Sequence, residues 1–113
     1  MKPRTGSAKT NFALPPKPLL SEVSKEIDGT KGRFVLVRDG HEAELTFSVL
    51  SPQTIIVDHT GVPDALRGTG AGLELVTALV ADARSEGYKI VPLCPFVNRQ
   101  RSEHPDWADV FQV

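Results

Sequence analysis

Acidic residues are absent from the first 20 positions, and cysteine, methionine, tryptophan and tyrosine occur once each. No apolar run approaches the roughly 18 residues that a membrane-spanning helix needs, so no membrane association is expected. The lone Cys94 excludes an internal disulfide and every CxxC-type metal or redox motif. Nothing in the cysteine content points to an oxidising compartment, and the cytoplasm is the expected location. A chain of 113 residues has room for one core and not for two. Its 40% hydrophobic and 24% charged content fits a soluble globular unit.

The missing acids make the charge uneven. Lys2, Arg4, Lys9 and Lys17 account for four of the 13 basic residues, which leaves nine against 14 acidic ones in the remainder. An acidic body argues against nucleic-acid binding, which normally shows a basic face. The segment "MKPRTGSAKTNFALPPKPLL" is punctuated by proline and has neither helical nor strand periodicity, so residues 1–20 read as a mobile basic tail and 21–113 as the domain. An organelle transit peptide is the alternative for the tail, although its prolines would interrupt the amphipathic helix such peptides form.

From residue 22 the pattern sharpens. "EVSKEIDG" is a short strand or helical turn ended by Gly29. "RFVLVRDGHEAELTFSVL" holds two strands around Asp39-Gly40, a dipeptide suited to the positive φ angles of a tight hairpin. In the second of these strands Ala43, Leu45, Phe47 and Val49 share one face while Glu42, Glu44, Thr46 and Ser48 share the other. "TIIVDHTGV" predicts a central strand, apolar on both faces in its first half. Leu73 to Glu86 predicts a helix with a narrow polar stripe at Glu74, Thr77, Ala81 and Arg84, stopped by Gly87. "YKIVPLCPF" reads as a further strand whose Pro92 and Pro95 force it to an edge or away from its neighbour. "NRQRSEHPDWADVF" reads as a last helix with Pro105 near its start, a Ser102 cap, and Trp107, Val110 and Phe111 on its apolar face.

Between the central strand and its helix lies "VPDALRGTGAGLELV", with three glycines in five positions. Glycine weakens ordered structure, so a function is expected to compensate. A strand, a glycine-rich turn and a helix N-terminus form an anion site, because unpaired backbone N–H groups and the positive end of the helix dipole converge there. Phosphate suits such a site. The P-loop is excluded by the lack of a Gly-Lys-Ser/Thr ending, and the dinucleotide fingerprint by Leu73, where a third glycine is required.

The register Arg67-Gly68-Thr69-Gly70-Ala71-Gly72 resembles the [Arg/Gln]-x-x-Gly-x-[Gly/Ala] signature of the GNAT acetyltransferases, with Val62 five residues before the arginine. "HTGVPDALRGTGAG" and "PLCPFVNRQRSEHPDWADVF" resemble the hallmarks of a compact, single-domain GNAT subfamily, and the likeness covers residues 30–111. The resemblance implies an α/β (α+β) fold. Its sheet would be mostly antiparallel, with a splayed parallel strand pair after the glycine-rich loop and two main flanking helices. It also implies acetyl-coenzyme A as cosubstrate. The pyrophosphate would be wrapped by Arg67, Gly68, Thr69, Gly70, Ala71 and Gly72, and the pantetheine arm would pair with the strand around Thr60 and Val62. The expected acceptor is an amine, either a small molecule, a lysine or a protein N-terminus.

Catalytic candidates are few. The family's general-acid tyrosine has no counterpart between Asn98 and Val113, and Tyr88 sits at the wrong end of its strand. Cys94, by resemblance near the acyl thioester, is a nucleophile, an acid or a small buried hydrophobe. Direct transfer in a ternary complex is expected, because the apolar neighbours of Cys94 disfavour a thiolate. His59 can act as a base at neutral pH or serve as a structural strand residue. Glu44 can bind a cationic substrate or be a solvated strand residue. His41 and His104 sit beside a turn and a proline, and no metal is expected. Two other functions compete with acetyl transfer: a coenzyme A-binding module with weak or no catalysis, and a protein-interaction domain whose basic tail engages a partner. The expected assembly is a monomer or weak dimer.

Overall fold

Asp39 and Gly40 both take positive φ, 53° and 77°, the values a two-residue hairpin turn demands. They join β2 (Lys31–Arg38) to β3 (His41–Ser51) in register from Arg38↔His41 to Lys31↔Ser48. A computed structural model describes residues 23–113, so the expected tail 1–20 lies outside the described residues. The polar segment before the hairpin is a strand, β1 (Val23–Asp28), antiparallel to β2. After β3 comes β4 (Thr54–Gly61), a 3-10 turn at Asp64–Leu66, α1 (Ala71–Glu86), β5 (Lys89–Pro92), α2 (Pro95–Glu103) and a 3-10 turn at Pro105–Trp107. The strands form one sheet in the order β1-β2-β3-β4-β5, antiparallel except for the β4–β5 pair. This is the mixed fold expected, with two helices.

Period-two alternation assigns the faces. Ala43, Leu45 and Phe47 of β3 are buried with Phe34 and Leu36 of β2, and Leu75, Val76, Leu79, Val80 and Ala83 of α1 pack into the same core. Each of the Val, Leu and Phe side chains among them stabilises the fold by about 1.5–3 kcal/mol. Glu42 is exposed and Glu44, Thr46 and Ser48 are half-buried on the opposite face. β4 lies inside the sheet, yet Ile56 is only half-buried, so its second face is less covered than its apolar run predicts.

The helix and strand limits near the C-terminus differ from the sequence reading. Gly70, with φ 85°, is the N-cap of α1, and the helix therefore includes Ala71 and Gly72 as its first two residues. Gly87 ends α1 in the left-handed conformation at φ 81°, as its position predicts. β5 stops at Pro92 rather than running to Phe96. Pro95 begins α2, where a missing N–H costs nothing because first-turn donors lack intrahelical partners anyway. The expected last helix from Asn98 is thus replaced by α2 and the Pro105 turn. Ser102 does not cap; its hydroxyl donates to the Arg99 carbonyl within α2. Trp107, Val110 and Phe111 are buried as expected, but on a turn and a short extended segment that bridges Ile90 of β5.

Candidate active site

β4 and β5 pair from Thr54↔Lys89 to Val57↔Pro92 and then part. Leu93 and Cys94 both donate their backbone N–H to the Val57 carbonyl, at 3.0 Å each, and the chain then turns into α2. Beyond Val57, β4 pairs with β3 alone: Leu45 faces Thr60 and Thr46 faces His59, while Phe47 faces Val57. Asp58 is therefore an extra residue, a bulge of the kind that re-aims strands beside active sites. On the β5 side, the stretch Asp58–Gly61 has no strand partner among the described residues.

The open side of β4 leads to the glycine-rich turn. Gly68 and Gly70 take φ of 80° and 85°, in the left-handed region that side chains disfavour. Thr69 closes the turn, its N–H donating to the Leu66 carbonyl at 3.2 Å and its hydroxyl to the same oxygen at 2.6 Å. Among the described residues no side chain caps α1. The first N–H groups of the helix thus face the turn without intrahelical partners, at the positive end of the dipole. Arg67 stands at the rim, its side chain 72% exposed and 3.0 Å from Asp64. Such an exposed pair contributes little and leaves the guanidinium available to an anion.

These parts line one cavity of about 580 Å³. Thr60, Val62, Arg67, Gly68, Gly70, Ala71 and Gly72, all singled out from the sequence, are on its wall; Thr69 is not. Four further lining residues were not foreseen: Leu66, Leu73, Phe96 and Gln100. Phe96 and Gln100 are one helical turn apart on α2, a spacing readable only once Pro95 is taken as a helix start. Phe96 lies against Gly72, where an added Cβ would come within 2.8 Å of its Cζ. That close approach accounts for glycine at a position whose φ is ordinary.

A second cavity of about 520 Å³ is lined by Arg33, Glu42, Glu44, Gly61, Val62 and Pro63, so Val62 borders both. Arg33 donates to Glu44 at 2.8 Å, to Glu26 at 2.9 Å and to Glu42 at 2.9 Å. The three carboxylates hold its pKa above the ordinary guanidinium range, Glu44 foremost.

The catalytic candidates are placed unequally. Cys94 is buried and lines neither cavity, but its Sγ lies 3.3 Å from the hydroxyl of Thr60, a residue of the first cavity's wall. His59 is exposed and lines neither. Tyr88 is buried near the start of β5, where desolvation and its hydrogen bond to Asp82 raise its pKa. It stands away from the parting strands. Among the described residues no group of three or more His, Cys, Asp or Glu side chains could hold a metal ion, and no helix is long and apolar enough to cross a membrane.

The family model for GCN5-related N-acetyl-transferases matches residues 33–110. The chain belongs to this family. A GCN5-like protein from Staphylococcus aureus, solved by NMR in solution, has a similar structure: TM-score 0.60 and 29% sequence identity, covering 81% of this chain and 90% of that one. A search of curated proteins finds no match. Family membership supports acetyltransferase chemistry in general. The parting of β4 from β5 and the glycine turn fall inside the matched span, whereas β1 precedes it.

Proposed function

We propose that this protein is an acetyl-coenzyme A-dependent N-acetyltransferase that acts on an amine. The observation that carries the proposal is the continuity of the 580 Å³ cavity, which joins the unpaired side of β4 to the glycine-rich N-terminus of α1. Coenzyme A combines a pyrophosphate with a peptide-like pantetheine arm, and these two surfaces match it in chemistry and in order. The residues fit the ligand: Gly68, Gly70 and Gly72 keep side chains off the turn, and the open backbone of Asp58–Gly61 offers strand pairing.

In this proposal backbone N–H groups of residues 68–73 and the Arg67 guanidinium bind the pyrophosphate, and the backbone around Thr60 and Val62 orients the pantetheine arm. Bound there, the thioester supplies an acyl carbon to the amine. The amine enters from the second cavity, because Val62 borders both. A backbone N–H near Thr60 to Val62 offers a donor to the developing oxyanion. Glu44, and with it Glu42, holds a cationic acceptor. His59 remains the candidate for removing its proton, although it lines neither cavity. Cys94 contacts the hydroxyl of Thr60 and does not itself line the cavity, so Cys94 acts by orienting Thr60 rather than by carrying the acetyl group. With acetyl-coenzyme A bound, the deprotonated amine nitrogen would attack the acyl carbon directly, and as the carbon–sulfur bond broke the remaining proton shed by the nitrogen would pass through water to the departing thiolate. The cytoplasm and a monomeric or weakly dimeric state complete the proposal.

The lack of a family tyrosine in α2 supports a second reading, a coenzyme A-binding module with weak catalysis. Two measurements separate the readings. Acetyl-coenzyme A at about 100 times Kd should stabilise the fold by about 2.7 kcal/mol, and thiol release with a panel of amines and lysine peptides should follow. Stabilisation without release favours the binding module. Neither effect would leave a protein-interaction domain.

A further inference from the structure

The glycine turn carries an acidic side chain in an awkward place. Glu74 belongs to the first turn of α1, and its Oε2 lies 4.0 Å from where a Cβ on Gly70 would stand. A carboxylate there favours an empty helix N-terminus. It repels any anion arriving at the same N–H groups. Something must offset it for the turn to bind pyrophosphate.

Arg38, the last residue of β2, reaches across to it. Its Nη2 donates to both Glu74 carboxylate oxygens at 2.8 Å, and its Nη1 lies 3.4 Å from the Thr69 carbonyl and 3.5 Å from the Thr69 hydroxyl. The Arg38 side chain is 19% exposed, far less than that of Arg67 in its pair with Asp64. The pair is therefore less screened than an ordinary surface ion pair. It also ties the end of β2 to the turn between β4 and α1. Neither residue belongs to the glycine signature, and neither lines the cavity.

We propose that Arg38 is a positioning residue for the cofactor turn, acting through Glu74. It neutralises the carboxylate and fixes it in place, so that the α1 N-terminus presents its N–H groups to an anion with its repulsion offset. This rests on the proposed binding of coenzyme A.

The test is calorimetric titration of coenzyme A into the wild-type protein, Arg38→Gln, Glu74→Gln and the double variant, with thermal melts to verify folding. Arg38→Gln, which leaves Glu74 unopposed, should weaken binding roughly tenfold, the size of a strong charge effect at a helix terminus. Glu74→Gln should bind at least as tightly as wild type. The double variant should return to within about threefold of wild type, a rescue that loss of a merely structural brace would not show. A double variant as weak as Arg38→Gln, a Glu74→Gln protein that loses affinity, or an Arg38→Gln protein of unchanged affinity would each overturn the inference. Wild-type protein that fails to bind coenzyme A would sink the functional proposal itself, and this inference with it.

Discussion

Gly68, Gly70 and Gly72 stand two residues apart and are glycine for two different reasons. At Gly70 an added Cβ would meet, among the described residues, only the Glu74 carboxylate at 4.0 Å, and the obstacle is the φ of 85°. At Gly72 the obstacle is space, because the Phe96 ring occupies it. Gly70→Val should therefore cost stability, about 1–2 kcal/mol for forcing a branched residue into the left-handed region, as well as binding. Gly72→Ala should leave the melting temperature within a few degrees, since Phe96 is partly exposed and its ring can swing, but should weaken coenzyme A binding roughly tenfold by moving Phe96 into the cavity. Calorimetry and thermal melts on both variants separate the two causes. Unchanged affinity in a folded Gly72→Ala protein would count against the assignment of the turn.

Cys94 raises a different question at the same scale. Burial and the Thr60 contact describe a thiol one layer behind the cavity wall. Cys94→Ala should cost roughly 1 kcal/mol for the lost sulfur contacts and hydrogen bond and retain most of the acetyl-transfer rate. Mass spectrometry after brief incubation with acetyl-coenzyme A should show no adduct on Cys94. An adduct that passes to the amine at the rate of turnover would overturn direct transfer.

At the scale of elements, the ends of α1 are fixed by different means. Its N-terminus is tied to β2 by Arg38, and its last turn is tied to the C-terminal segment by Arg84, which donates to both Asp109 carboxylate oxygens and to the Asp106 carbonyl. The Arg84 guanidinium holds the Asp109 carboxyl below its ordinary range. A depressed folded pKa means the contribution is present above the unfolded carboxylate value, near pH 4, and is lost as pH falls through the folded value. Asp109→Asn should lower the melting temperature at neutral pH, and the difference from wild type should vanish in strong acid. A difference that persists there would show that the pair acts by shape and not by charge.

Elements were legible where local rules act alone. The Asp39-Gly40 hairpin, the alternation of β3 and the Gly87 stop depend on residues adjacent in sequence, and each stands where its pattern predicts. The stretch 93–104 was not legible, because Pro95 suits both the end of an edge strand and the first turn of a helix, and here it begins α2. Choosing the strand hid Phe96 and Gln100 from the candidate site. Arg38 and Glu74 were beyond any local rule, being 36 residues apart and joined only by the fold.

At the scale of the molecule, the sheet separates two environments. One face carries the core and α1, and the other carries Arg33 among Glu26, Glu42 and Glu44. The acidic excess found in the composition is partly gathered on that second face, beside the cavity from which the amine is proposed to enter. The proposed cofactor binds where β4 has lost β5, so the same departure from regular pairing forms the cavity and brings Val62 to the border of the acceptor side.

The most direct test of the account is an amide-resolved NMR titration of the full chain with coenzyme A. Binding to the strand and turn predicts saturable shifts confined to residues 58–62, 67–74 and 94–100, with β1 and the Pro105–Trp107 turn unmoved. No shifts at millimolar ligand, or shifts centred on the Arg33 face of the sheet, would contradict it.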